Sequence, residues 1–209
     1  MNAERVDAND ARRESLLQAA IGVFLRYGYR KTSVDDVARA ADLSRQGLYL
    51  HFATKEELFK EAVIHLATQG RTKMRAALER DDLAIEDRLL GAFVAFKSHA
   101  GGDEMPSEHL DELISTANQL VGPAFEELEQ GIVGDLTRFL QSSGIAAEWR
   151  GTGLTARELA QHLHAASHGI KHQVRTLAEY RDRMQIAVRV VCRPAAESRT
   201  SSSRRARKP

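Results

Sequence analysis

The sequence predicts an all-α protein of about nine helices, a small three-helix unit followed by a larger helical body. Three observations predict it. Apolar residues recur three and four positions apart along most of the chain, while the two-residue alternation of half-buried strands is scarce. Three pairs with capping-box spacing, Ser33 with Asp36, Thr54 with Glu57 and Thr155 with Glu158, mark helix starts. Gly28, Pro106, Pro123 and Pro194 fall where the helical pattern pauses.

In chain order, residues 1–9 are polar and expected to be loose. A first helix opens near Asp10 and carries Leu16, Ala20, Val23, Phe24 and Tyr27 on one face. Gly28 is placed to end it. Arg12 and Arg13 on its first turn suit solvated charge and phosphate contact equally well. The stretch from Thr32 to Phe52, TSVDDVARAADLSRQGLYLHF, then forms two short helices and a turn. Ser33 caps the first, whose inward stripe is Val34, Val37, Ala38 and Ala41. Asp42 tolerates the left-handed turn conformation, Leu43 plugs the corner, and Ser44 caps the second helix, Arg45 to His51. That helix buries Leu48 and Phe52 and leaves Arg45, Gln46, Gly47, Tyr49 and His51 for another surface. This is the outline of a helix-turn-helix.

Thr54 opens a long helix carrying Leu58, Phe59, Ala62, Val63, Leu66 and Ala67, which Gly70 loosens before Met74, Ala77 and Leu78. Lys55 opposes the dipole at its first turn, and makes sense there if a phosphate lies opposite. A fifth helix (Leu89, Leu90, Phe93, Val94, Phe96) ends near Gly101-Gly102, and a sixth runs from Ser107 to Leu120. Pro123 starts a seventh with Phe125, Leu128, Ile132, Leu136, Phe139 and Leu140. Residues 144–153 are read as a loop holding Trp149, the single tryptophan. An eighth helix runs from Thr155 to about Ala178 and a ninth from Arg181 to Val191. The domains expected are 10–55, 56–193 and a Ser- and Arg-rich, disordered tail at 194–209.

The order Thr-Ser-Val-x-x-Val-Ala-x-x-Ala, then Leu-Ser-Arg-x-x-Leu-Tyr-x-His-Phe, then Lys55-Glu56-Glu57-Leu58, resembles the N-terminal signature of the TetR family of bacterial transcription regulators. Upstream, Ala19-Ala20, Phe24 and Gly28-Tyr29 agree as well, so the likeness covers about the first third of the chain. The sequence departs from the family at Asp42, commonly Gly, and at Gly47, usually another small residue. The resemblance implies a homodimer that binds a palindromic double-stranded DNA operator and is released from it, as a repressor, by a small-molecule effector. The long helix would join the DNA-reading head to the body.

Group chemistry distributes the roles. Arg binds guanine bidentately and Gln pairs with adenine, so Arg45 and Gln46 are the expected base readers. Thr32, Ser33, Ser44, Tyr49, His51 and Lys55 suit phosphates. Phe93, Phe96, Met105, His109, Leu113, Phe125 and Trp149 are candidate walls of an effector pocket. Ile170, Val174 and Leu177, with Met184, Ala187, Val188 and Val191, are candidates for a dimer face, in line with the four-helix subunit interface the resemblance implies.

Composition narrows the alternatives. The formal net charge is +1, so DNA affinity must come from local basic clustering. Cys192, the single cysteine, excludes an internal disulfide and fits a reducing cytoplasm; it reads as a small packed side chain. No apolar run is long enough for a membrane span or a signal peptide, so a cytoplasmic protein is expected. His164, His168 and His172 recur every four residues, yet three in line span about 12 Å by the helical rise, too far to share one ion. With neither a neighbouring Glu in an H-E-x-x-H arrangement nor a cysteine partner, an interface or pocket-wall role is preferred and no metal or cofactor is assigned. No nucleophile elbow, P-loop or dinucleotide fingerprint supports an enzyme. Two other readings stand: the same fold governed by a protein partner, and, remotely, a metal-dependent helical enzyme using those histidines.

Overall fold

The computed structural model describes residues 2–99 and 107–192. Met105, Pro106, the Gly101-Gly102 break and the basic tail lie outside these residues. Among the described residues there are nine helices: α1 (Asn2–Lys31), α2 (Val34–Ala40), α3 (Arg45–Tyr49), α4 (Lys55–Leu78), α5 (Ile85–His99), α6 (Ser107–Ser142), α7 (Ile145–Glu148), α8 (Ala156–Lys171) and α9 (Leu177–Cys192).

Several boundaries differ from expectation, each for a local reason. α1 begins at Asn2 instead of near Asp10, and no Gly or Pro interrupts the chain before Gly22. Its path breaks at Gly28 (φ 78, ψ 164) and resumes for one last turn. The expected sixth and seventh helices are one run, α6, broken only at Val121 (φ −128, ψ 18), two residues before Pro123. The expected loop around Trp149 contains the short helix α7, anchored by buried Ile145. α8 stops at Lys171, and α9 starts at Leu177 because Thr176 and Glu179 form another start signal. The Thr176 hydroxyl accepts from Glu179 N at 3.2 Å, and the Glu179 carboxylate accepts from Arg175 N at 2.9 Å. Gly70 does not loosen α4, which runs unbroken. It is buried, with the Phe96 ring 3.2 Å from where a Cβ would stand.

Two apolar cores result. The first joins Leu16, Leu17, Ala20 and Phe24 of α1 to Val37, Leu48, Phe52 and the start of α4. It extends well past residue 55, because Leu113, Ala117 and Val121 of α6 belong to it. The second holds Met74 and Leu78 of α4, Leu89 and Phe93 of α5, Leu136 and Leu140 of α6, Leu163 of α8, and Tyr180, Met184 and Val188 of α9. Cys192 packs against that core, as its apolar surroundings suggest. α4 and α6 therefore pass through both cores. They are tied midway where Arg71 Nε donates to Asp135 Oδ2 at 2.6 Å, Asp135 being only 5% exposed. Arg138 pairs with the same carboxylate.

Candidate nucleic-acid interface and body cavity

The helix-turn-helix is built by the local chemistry its sequence encodes. The Ser33 hydroxyl accepts from Asp36 N at 3.2 Å, and Asp36 Oδ2 accepts from Ser33 N at 3.0 Å, a complete capping box. The Ser33 hydroxyl and backbone N–H, both donated to Asp36, hold its carboxyl below the usual range. Asp42 adopts φ 53, the one positive φ at a non-glycine among the described residues, and turns the chain into α3. Ser44 then accepts from Gly47 N at 3.0 Å. Leu48 and Phe52, each 1% exposed, seat α3 on the head core. Burial of each is worth about 1.5–3 kcal/mol.

Arg45 and Gln46 are exposed on the first turn of α3. Asp35 of α2 accepts from Arg45 Nη1 at 3.2 Å, and the guanidinium lies 5.6 Å from the centroid of the Tyr49 ring. These contacts orient the arginine without covering it, since its side chain remains 61% exposed. Ser33, Ser44 and Tyr49 are exposed and His51 is half-buried. Leu50, which sequence reasoning left unassigned, is 85% exposed beside them.

Two of the expected phosphate ligands have other work. Thr32 is 2% exposed and donates its hydroxyl to Gly28 O at 2.7 Å, so it braces the turn out of α1 instead of facing a phosphate. Lys55 Nζ donates to Tyr29 O and Thr32 O, both at 2.9 Å, and sits 4.4 Å from the Tyr29 ring centroid. Two carbonyls at the end of α1 and the Tyr29 ring thus engage the ammonium in the DNA-free chain. Arg13 is likewise tied, to Glu61 at 2.6 Å and over the Phe52 ring.

Between the two cores lies a cavity of about 530 Å³. Of the expected wall residues, Phe96, Leu113 and Phe125 line it. Phe93 is buried in the body core, Trp149 packs elsewhere with Nε1 donating to Val191 O at 2.8 Å, and His109 lies against the Gly28 turn. Met105 lies outside the described residues. What sequence reasoning missed is the part the head contributes: Ile21 and Phe24 of α1, and Phe59, Val63 and Leu66 of α4. It also missed Lys97 and Lys171. Lys97 follows Phe93 by four residues and Leu90 by seven, so a charge on the apolar stripe of α5 was the available signal. His168 and His172 line the same cavity, the pocket-wall position.

α6 connects this cavity to the head. Leu113, Ile114 and Ala117 line the cavity, while Glu112 Oε1, on the same stretch, accepts from Arg30 N at 2.9 Å. A Cβ at Gly28 would stand 2.5 Å from Glu112 Oε2, so this close approach needs glycine twice over, for its φ and for its lack of a side chain.

The expected dimer residues are mostly spent inside the subunit. Val174, Met184, Val188 and Val191 are buried in the body core, and Ile170, Leu177 and Ala187 pack against it. α9 carries apolar residues on more than one face, and the outward pair is Ile186 (65% exposed) and Val190 (55%). The histidines on α8 also meet a group no local pattern could supply. Glu129 of α6 brings a carboxylate to His164 and His168, with one donor atom from each within 4.8 Å of the others.

Residues 16–62 match the family model described as bacterial regulatory proteins, tetR family. An HTH-type transcriptional repressor, KstR2, of Mycobacterium tuberculosis is 42% identical over 86 residues, covering 41% of this chain and 42% of that protein. The probable acrEF/envCD operon repressor of Escherichia coli is 41% identical over 49 residues, 23% and 22% of the two chains. The matches span between 22% and 63% of the length of the curated relatives. Over the whole fold, a TetR-family regulator from Mesorhizobium loti superposes with a TM-score of 0.67 at 22% identity, covering 87% of this chain and 95% of the other. One from Rhodococcus sp. gives 0.65 at 19%, covering 87% and 98%. No described helix is long and apolar enough to cross a membrane. With its capped helix-turn-helix and the match at 16–62, the chain carries the N-terminal segment of the tetR family of bacterial regulatory proteins, and its helical fold is the one the solved TetR-family regulators share.

Proposed function

We propose that the protein works as a homodimeric repressor, released from a palindromic operator when a small molecule fills the cavity between head and body. The observation that carries this reading is the double role of α6, which walls the cavity through Leu113 and Ala117 and holds the Gly28–Arg30 turn through Glu112. That turn leads directly into Thr32 and the Ser33 cap of α2. An occupant that changes the position of α6 therefore biases the head's attitude, and two heads reach successive major grooves in one attitude only. A cavity of this size, within the roughly 300–1,000 Å³ usual for small-molecule sites, favours such an effector over a protein partner.

On DNA, Arg45 and Gln46 read bases, with Leu50 available to a thymine methyl, while Ser33, Ser44, Tyr49 and His51 hold phosphates. The exposed Ile186 and Val190 supply the apolar centre of the subunit contact through α9. Titration of an operator-like palindrome against a scrambled duplex, over a salt series, tests the reading. Arg45→Ala is expected to lose sequence preference more than overall affinity. Equal weakening on both duplexes refutes the base-reading role.

A further inference from the structure

The cavity is chemically two-ended. Ile21, Phe24 and Phe59 give it an apolar end against the head. At the last turns of α5 and α8 it is lined instead by Lys97, His99, His168 and Lys171. Among the described residues neither lysine makes a hydrogen bond or has a carboxylate within 4.0 Å, and Lys97 Nζ has only the Tyr180 ring, 5.9 Å from its centroid. Burial pushes the Lys97 ammonium down to about 8, with the Lys171 charge adding to the fall, and burial lowers Lys171 too. Lys97 is thus still mainly a cation at pH 7. His99 supplies a further donor. Its Nδ1 lies 2.8 Å from Lys73 Nζ, and since an ammonium can only donate, Nδ1 accepts and Nε2 carries the proton. That Nε2 is buried and, among the described residues, has no hydrogen-bond partner.

Among the described residues the one carboxylate lining this end is Glu129, which approaches His168 Nε2 at 3.5 Å; its charge favours the Lys171 ammonium, but it lies beyond ion-pair distance of either lysine. A divalent ion held by Glu129, His164 and His168 would add positive charge beside two lysines already short of counter-charge. An anion would relieve both lysines and give the His99 N–H its acceptor.

We propose that the cavity takes an amphipathic anion, a carboxylate or phosphate monoester head at Lys97, Lys171 and His99 with an aliphatic tail running toward Phe24 and Phe59. This rests on the effector reading above and names the class of effector. The head is recognised by charge-assisted hydrogen bonds, and the tail by burial against aromatic rings.

The test uses the full chain, with calorimetric titration and thermal shift in the absence of DNA, and operator release measured separately. The probes are decanoate, decyl phosphate, decanol, decyltrimethylammonium and zinc. Either anion, or both, is expected to bind and raise the melting temperature, and comparing the two separates a carboxylate from a phosphate head. Decanol and the quaternary amine are expected to bind at least tenfold more weakly. Lys97→Gln and Lys171→Gln, each checked for a cooperative melt, should each lose at least tenfold in anion affinity while decanol binding is unmoved. Decanol binding as tightly as decanoate overturns the assignment of the head group. Zinc binding that is lost in His168→Ala, with no anion binding, overturns it in favour of a metal site. Failure of all amphiphiles to bind a protein that still prefers its operator and is released by another compound overturns the anion while leaving the effector reading intact. Anion binding that leaves operator affinity unchanged sinks the effector reading and keeps the site.

Discussion

Replacing Gly28 by alanine tests the joint between α6 and the head. Gly28 occupies φ 78, ψ 164, a region essentially reserved for glycine, so an alanine there costs about 1–3 kcal/mol in backbone strain. Its Cβ would also stand 2.5 Å from Glu112 Oε2 and 3.4 Å from His109 Cγ. Glu112 must swing away and give up the Arg30 N–H it accepts at 2.9 Å, an exposed contact worth about 1 kcal/mol. Together these predict a loss of about 2–4 kcal/mol. At about 2–4 °C per kcal/mol for a chain of this size, the melting temperature should fall by about 5–15 °C. Urea denaturation of four proteins apportions the effect: wild type, Gly28→Ala, Glu112→Ala and the double variant. With Glu112 truncated the collision disappears and only the backbone part should remain, so the second substitution must cost less in that background. A Gly28→Ala protein within about 0.5 kcal/mol of wild type, a change ordinary for surface sites, would refute the strained-joint argument. Equal cost in both backgrounds would refute the clasp by Glu112.

Three further outcomes are expected. A Cβ at Gly131 would collide with the Arg71 guanidinium, so Gly131→Ala should push that flexible side chain off buried Asp135 and cost about 1–2 kcal/mol in a urea melt. In an Arg71→Met background the same change should be neutral or slightly stabilising, as alanine is the better helix former. Lys97 holds its proton less well folded (about 8) than unfolded (10.5), so its burial cost is fully present below pH 8 and is relieved as pH rises toward 10.5. Ligand-free Lys97→Met should therefore melt above wild type at pH 7, and the gap should narrow between pH 8 and 10; a gap independent of pH would show that Lys97 is solvated. Ile186→Glu with Val190→Glu should yield a folded single subunit by light scattering with unchanged helical circular dichroism, and a persistent dimer would place the contact elsewhere.

The head was legible because its determinants are short-range. A capping box spans four residues, and the Ser33–Asp36 and Thr155–Glu158 pairs form as their spacing implies. Thr54 caps α4 too, although Glu57 reaches one residue further back, to Ala53 N at 2.8 Å. Asp42 takes the left-handed turn its side chain allows. The same locality produced the errors. Lys55 on a first turn looks like a phosphate ligand until the chain folds back and offers it the carbonyls of Tyr29 and Thr32. On α9, Met184, Val188 and Val191 and the pair Ile186 and Val190 are all apolar. Periodicity marks a helix there without saying which side meets its own core.

The sequence by itself determined the helical class, the capped reading head and the family likeness, since each depends on residues within a few positions of one another. Only the tertiary structure decided where the cavity lies, which charges meet in it and how α6 clasps Gly28. Lys97 and Lys171 are 74 residues apart, as their numbering shows, and Glu112 lies 82 residues from Arg30. Their meeting depends on how whole helices pack against two cores, a sum of many weak apolar contacts that no single stretch of sequence contains.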